Sequence, residues 1–257
     1  MAQAPSRKAL RVCHDPNNMP FSNAAGQGIE NKLAELMGQS LGLPVTYYAF
    51  PQRMNFIRNT LRHKVPGQDY PCDIVMAIPV SDGPVAVTQP YYRSSYALVV
   101  PQGRGWDDVQ SASDLAALPA ERKQRLRIGL MDKTPVSAWL AKHGLVDQGV
   151  PLLLQNADPE AYPSRMLQDQ LASGQVDMLM AWGPVAGHLA KNSALGPLKV
   201  IPMASEPGVT LDFAIAMGVR RGEPEWKNQV EQWLASHRPQ IKAVLQDFGV
   251  PLLEDKP

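Results

Sequence analysis

The segment CDIVMAIP, Cys72 to Pro79, is a continuous apolar run with one acid at its second position and Met-Ala at its fifth and sixth. A run of this kind, unbroken by polar alternation, is what a strand buried on both faces of a parallel sheet requires. A second run, VDMLMAWGP from Val176 to Pro184, has the same acid at position two and the same Met-Ala at five and six. Each follows a short amphipathic segment, so the spacing predicts the same strand used twice, once in each of two similar lobes.

Working outward from the first run, ALRVC reads as a strand. Ile29, Leu33, Leu36, Met37 and Leu41 recur at helical spacing before the stop GLP, VTYYAF reads as a second strand and RMNFIRNTLRH as a short helix. Around the second run, LRIGLM, the helix PVSAWLAKHG, VPLLLQN and the helix PSRMLQDQLASG repeat the order. Two βαβαβ units predict an α/β fold. The chain then returns through LKVIPM and LDFAIAMGVRR to two helices whose apolar stripes, Trp226, Val230, Trp233 and Leu234 and then Ile241, Val244, Leu245 and Phe248, read as core.

A chain of 257 residues can fill two small cores. Lys plus Arg number 25 against 24 Asp plus Glu, without a basic block, which argues against a nucleic-acid partner. No apolar run reaches the length of a membrane span. The start, MAQAPSRK, fits either the remainder of a cleaved export signal behind an added Met or an ordinary polar N-terminus. Cys13 and Cys72 are the only cysteines; they are a disulfide candidate in an exported protein and buried thiols in a cytosolic one.

The sequence has no G-x-S-x-G, H-E-x-x-H, C-x-x-C or P-loop, and its five histidines show no pairing. The loop VCHDPNNMPFSN, Val12 to Asn23, begins like a calcium loop at Asp15. Its sixth position is Pro20 and its twelfth Gly26, where such a loop needs Gly and Glu, so no metal or other cofactor is expected. Asp and Asn directly after a strand also form side-chain turns. Ligands of open α/β sheets bind beyond the carboxyl ends of strands. That places candidate residues at Asp15, Asn18 and Phe21, at 78–82, at Met131 and Asp132, and at Trp182.

The ordered motifs D-P-x-x-x-P-F, GIENKLAEL, PQRMNFIRNTL, CDIVMAIP and QPYYRSSYALVV resemble family-3 solute-binding proteins, and within them the MxaJ/XoxJ subgroup associated with quinoprotein dehydrogenases. The resemblance implies a type II periplasmic binding protein fold: two α/β lobes, 7–99 with 203–257 and 100–202, joined by crossovers near 97–102 and 200–206, with a central cleft and a periplasmic location. The amino-acid binders of that superfamily clamp a carboxylate with an Arg and an ammonium with an Asp. Here AIPVSDGPVAVTQPYY lacks the Arg, and Trp182 stands near the place of the Asp. The cleft expected from Phe21, Tyr91, Tyr92, Met131 and Trp182 therefore suits an apolar or aromatic ligand or a peptide, with Arg53 as an anion contact or a helix cap. In a periplasmic protein, linking Cys13 to Cys72 is worth about 4 kcal/mol in the chain-entropy limit. Parallel register separates the two unless the chain bends.

The resemblance also implies a role: a non-enzymatic, monomeric accessory protein that contacts a PQQ-dependent methanol or alcohol dehydrogenase and assists its maturation or activation. The alternative is the binding subunit of an ABC importer for a small organic solute.

Overall fold

The computed structural model describes residues 7–52, 55–81, 83–153 and 162–254. The chain runs through β1 (Leu10–His14), the two-residue strands β2 (Asn17–Asn18) and β3 (Ser22–Asn23), and α1 (Ile29–Leu41). After β4 (Val45–Ala49) come a single turn, α2 (Phe56–Asn59), then β5 (Ile74–Pro79) and β6 (Ala86–Val87). β7 (Tyr92–Pro101) leads to α3 (Ala112–Ala117), α4 (Ala120–Arg125), β8 (Ile128–Met131), α5 (Pro135–Lys142) and β9 (Gly149–Leu152). From there follow α6 (Pro163–Ala172), β10 (Met178–Trp182), α7 (Gly183–Lys191) and β11 (Leu198–Pro202). β12 (Asp212–Val219), α8 (Pro224–Ser236) and α9 (Arg238–Asp247) complete the order.

The chain forms two compact units, 1–92 with 214–245 and 93–213 with 246–257. In the first, β4, β1 and β5 are parallel in that order and β12 joins β5 antiparallel. In the second, β9, β8 and β10 are parallel and β7 joins β10 antiparallel. Each unit thus has its second strand, first strand and third strand side by side, followed by one reversed strand. The duplicated sequence runs are the third strands, β5 and β10.

Their shared acid has the same backbone task in both units. Asp73 N–H donates to Arg11 O at 2.7 Å, and Asp177 N–H donates to Arg127 O at 2.9 Å. Each acid therefore sits where the chain enters the third strand beside the first. The side chains then diverge. Asp177 accepts one backbone N–H, from Arg127 at 2.8 Å. Asp73 is fully buried and binds Arg11 at 2.6 and 3.0 Å, Arg7 at 2.9 Å and also Arg220, while Arg7 and Arg220 both reach Glu223 at 2.6 Å.

Helix α1 forms because Ile29, Leu33, Ala34 and Met37 make a stripe that buries against the sheet. It ends at Gly42, whose φ of 65° is the left-handed conformation that glycine tolerates. The helix expected over RMNFIRNTLRH is only the turn of α2; Arg53 and Met54 lie outside the described residues. The strand expected over VPLLLQN is β9 to Leu152, with 154–161 outside the described residues. Trp226, Val230, Trp233, Leu234, Ile241 and Leu245 are buried.

The unit boundaries differ from those drawn on the sequence at 99/100 and 202/203. Residues 93–99 go with the second unit because β7 pairs there with β10 and β11. The last residues go with it too. Leu253 N–H donates to Arg93 O at 2.9 Å and Ser94 Oγ to Pro251 O at 2.7 Å. Gly187 permits the approach, since a Cβ there would stand 1.8 Å from Gly249 O.

Cys13 and Cys72 form a disulfide with Cα atoms 5.2 Å apart, and both are fully buried. In the β1–β5 register Cys13 faces Val75, so an extended chain would carry Cys72 well past it. The bend ahead of β5 brings it back. Replacing both cysteines by Ala is expected to cost about 3 kcal/mol, below the chain-entropy limit because the uncrosslinked chain keeps residual structure. Urea unfolding checks this, and an unchanged midpoint would contradict it.

Candidate functional site

In the first unit the loop after β1 is held by its own side chains. Asp15 Oδ1 accepts Asn17 N–H at 2.9 Å, Ser22 Oγ donates to Asp15 O at 2.7 Å, and Asn18 Nδ2 donates to Gln52 Oε1 at 2.8 Å. These are turn-forming contacts. The loop also closes the start of α1: Ile29 N–H donates to Pro20 O and Glu30 N–H to Phe21 O, each at 2.8 Å. Gly28 is required there, because a Cβ would lie 2.2 Å from Phe21 O. The helix N-terminus is thereby taken by the loop, and Phe21 is left half-buried.

Behind this loop is a set of polar groups, of which Glu30 and Asn31 were not singled out on the sequence. Glu30 is 5% exposed, and burial, reinforced by the charge of Asp15, pushes its carboxyl up to about 8. His14, its ring tilted against Tyr47 at 4.6 Å, is shifted downward by burial against a smaller opposing effect of Asp15. Its Nδ1 and Asn31 Nδ2 are buried without a hydrogen-bond partner. Tyr91 donates to Met76 O at 2.8 Å and lies 5.0 Å from the Tyr92 ring; burial raises both phenols. Tyr92 is 6% exposed and therefore a packing residue, whereas Tyr91 keeps partial exposure.

In the second unit, Trp182 is the last residue of β10 and faces Tyr96 of β7 across an antiparallel pair. Phe213, from β12, completes a triangle of rings: Tyr96 to Trp182 5.4 Å, Trp182 to Phe213 5.8 Å and Tyr96 to Phe213 6.4 Å, all steeply inclined. All three are half-buried, and burial lifts the Tyr96 phenol to about 12. Such inclined rings gain from quadrupole contacts as well as from area, and their remaining faces suit apolar, aromatic or cationic groups. Met131 is buried at 8% exposure, and Asp132 accepts the N–H of Lys133 at 2.8 Å, so this loop is occupied with its own turn.

Asp15 and Asn18 are thus brought to one loop with Phe21, and Tyr91 to Tyr92. Trp182 is joined by Tyr96 and Phe213, which the sequence reading missed. Both stood in segments quoted from the sequence, SSYALVV and LDFAIAM, as single aromatics, but only pairing sets which strand residues meet. Arg53 lies outside the described residues. Among the described residues no group of three or more His, Cys, Asp and Glu could hold a metal ion, and no helix is long and apolar enough to cross a membrane.

Two such units, each with three parallel strands and a reversed fourth, define a type II periplasmic binding protein. No family model matches the sequence. The crystal structure of the periplasmic binding protein XoxJ from Methylobacterium extorquens AM1 is 33% identical, with a TM-score of 0.76, over 96% of this chain and 100% of that one. The chain belongs to the XoxJ/MoxJ family of periplasmic binding proteins. Protein MoxJ of Paracoccus denitrificans is 26% identical over 95% of this chain and 89% of its own length. MxaJ from Methlophaga aminisulfidivorans MPT, 23% identical with a TM-score of 0.78 over 95% of this chain and 100% of that one, shares the fold.

Proposed function

We propose that this protein is a non-enzymatic periplasmic accessory factor that associates with a PQQ-dependent methanol or alcohol dehydrogenase and assists its maturation or activation. The observation that carries the reading is the ring triangle of Tyr96, Trp182 and Phe213. A binder of free amino acids needs charged groups for both ends of a zwitterion, and the segment 77–92 supplies no Arg while the end of β10 supplies an indole. Rigid aromatic anchors are what protein contact surfaces use, because they bury large area at small entropic cost. Family membership and the motif resemblance support the periplasmic address and the dehydrogenase as partner. Phe21 and Tyr91 are the partly exposed aromatic candidates of the first unit.

The test is association of the purified protein with the periplasmic dehydrogenase of its source, followed by turnover of that enzyme with and without it. Trp182→Ala is expected to weaken association by about 2 kcal/mol, roughly thirtyfold, since a central Trp is a typical interface anchor. Saturable uptake of a small organic solute without dehydrogenase association would replace this reading by that of an importer subunit.

A further inference from the structure

β4 is the outer strand of the first unit's sheet; among the described residues its one strand neighbour is β1. Leu10 N–H donates to Pro44 O and Phe50 N–H to His14 O, each at 2.9 Å, so the even-numbered residues face β1. In a parallel ladder the alternate residues, Val45, Tyr47 and Ala49, then turn their N–H and C=O groups outward. Protected edges carry Lys, Pro or an inward charge. Val45–Ala49 has none of these, and Tyr47 is 37% exposed.

Beside the start of this edge is a surface cavity of about 370 Å³, lined by Glu35, Gly38, Gln39, Gly42 and Val45. Gly38 brings α1 close to β4, as a Cβ there would meet Val45 Cγ2 at 2.5 Å, and nothing lies within 4 Å of a Cβ built on Gly42. Glu35 is the one ionisable residue of the cavity's lining, and the cavity adjoins the carboxyl end of α1, whose last turn has no basic residue. Glu35 is paired with Lys32 at 3.1 Å, but both side chains are nearly half exposed, and a pair of that kind is weak enough to be exchanged.

We infer that the open edge of β4 accepts an extended segment of a partner protein, laid on as an additional strand, with a Lys or Arg side chain at its end entering the cavity beside Glu35. Main-chain bonds to Val45, Tyr47 and Ala49 supply affinity, and the cavity selects the basic residue. A second copy of β4 is a poorer occupant, because the chain has no Lys or Arg between Leu43 and Gln52 to supply the cation. The surface is separate from the aromatic residues of the proposed function and does not depend on that reading.

The test uses the whole protein and two synthetic peptides, acetyl-KTVTVT-amide and acetyl-ETVTVT-amide, with backbone hydrogen exchange followed by NMR. The Lys peptide is expected to slow exchange at Val45, Tyr47 and Ala49 and leave Thr46 and Tyr48, already bonded to β1, unchanged. Ala49→Pro removes an outward donor without touching the β1 ladder, and is expected to weaken binding about tenfold. Glu35→Lys, at a partly exposed helix position, reverses the peptide preference and carries the test if the proline variant unfolds. Equal binding of both peptides, protection elsewhere, or no response to Glu35→Lys overturns the inference. A concentration-dependent dimer abolished by Ala49→Pro overturns it in favour of self-association.

Discussion

Glu30→Gln stabilises the protein progressively as pH rises from 5 to 8, by about 5 kcal/mol at the upper end. Burial first, and the charge of Asp15 second, raise the folded-state carboxyl from 4.5 to about 8. Between those values the folded state keeps a proton that the unfolded chain has released. Stability is therefore full below about 4.5, declines as pH climbs, and has lost the whole contribution above about 8. The amide cannot ionise, so the variant escapes this decline. Near pH 5 the two proteins should unfold at similar urea concentrations, and near pH 8 they should be far apart. Taking the difference between them cancels other titrating groups, including His14. A difference that stays constant with pH would show that Glu30 is ionised within the fold.

Asp73→Ala should cost about 4 kcal/mol, the loss typical of removing one partner from a buried ion network. Its carboxylate is the shared acceptor of Arg7, Arg11 and Arg220, and the side chains of Asp73 and Arg220 are 1% and 8% exposed. Burial works to raise this carboxyl; hydrogen bonds from Arg11 and Arg220, with the charge of Arg7, outweigh it and hold the group below its ordinary 3.8. The stabilisation is thus present above the ordinary value and lost as pH falls through the lowered one. Without the acceptor, Arg220 retains Glu223 and carbonyls of Leu61 and Cys72, and the network is left with an excess of cations. Asp177→Ala provides the comparison. It holds the same place in the other unit but accepts a single backbone N–H, so about 1 kcal/mol is expected. Equal urea midpoints for the two variants would refute the assignment.

The paired acids also show how far the sequence could be read. Their matching position in CDIVMAIP and VDMLMAWGP pointed to a duplicated strand, and both do occupy the entry to the third strand. Nothing local distinguished them, because Asp73 gathers Arg7 and Arg11 from one distant stretch of the chain and Arg220 from another. Glu30 is a similar case. It stands in GIEN at the start of a helix, where an acid usually faces water and favours the helix dipole. Here the loop Pro20–Phe21 folds over that end and buries it. The candidate site was legible as a set of loops and single aromatics, and the rings that meet Trp182 were not among them.

The sequence by itself determined the α/β class and the duplicated strand order, because periodicity and strand patterning are local properties. Tertiary structure alone decided the lobe boundaries, the bend that brings Cys72 to Cys13, the burial of Glu30 and the meeting of Tyr96, Trp182 and Phe213. Each of these depends on register between segments far apart in the chain. A one-residue change in pairing would move every side chain to the other face, and no local pattern specifies it.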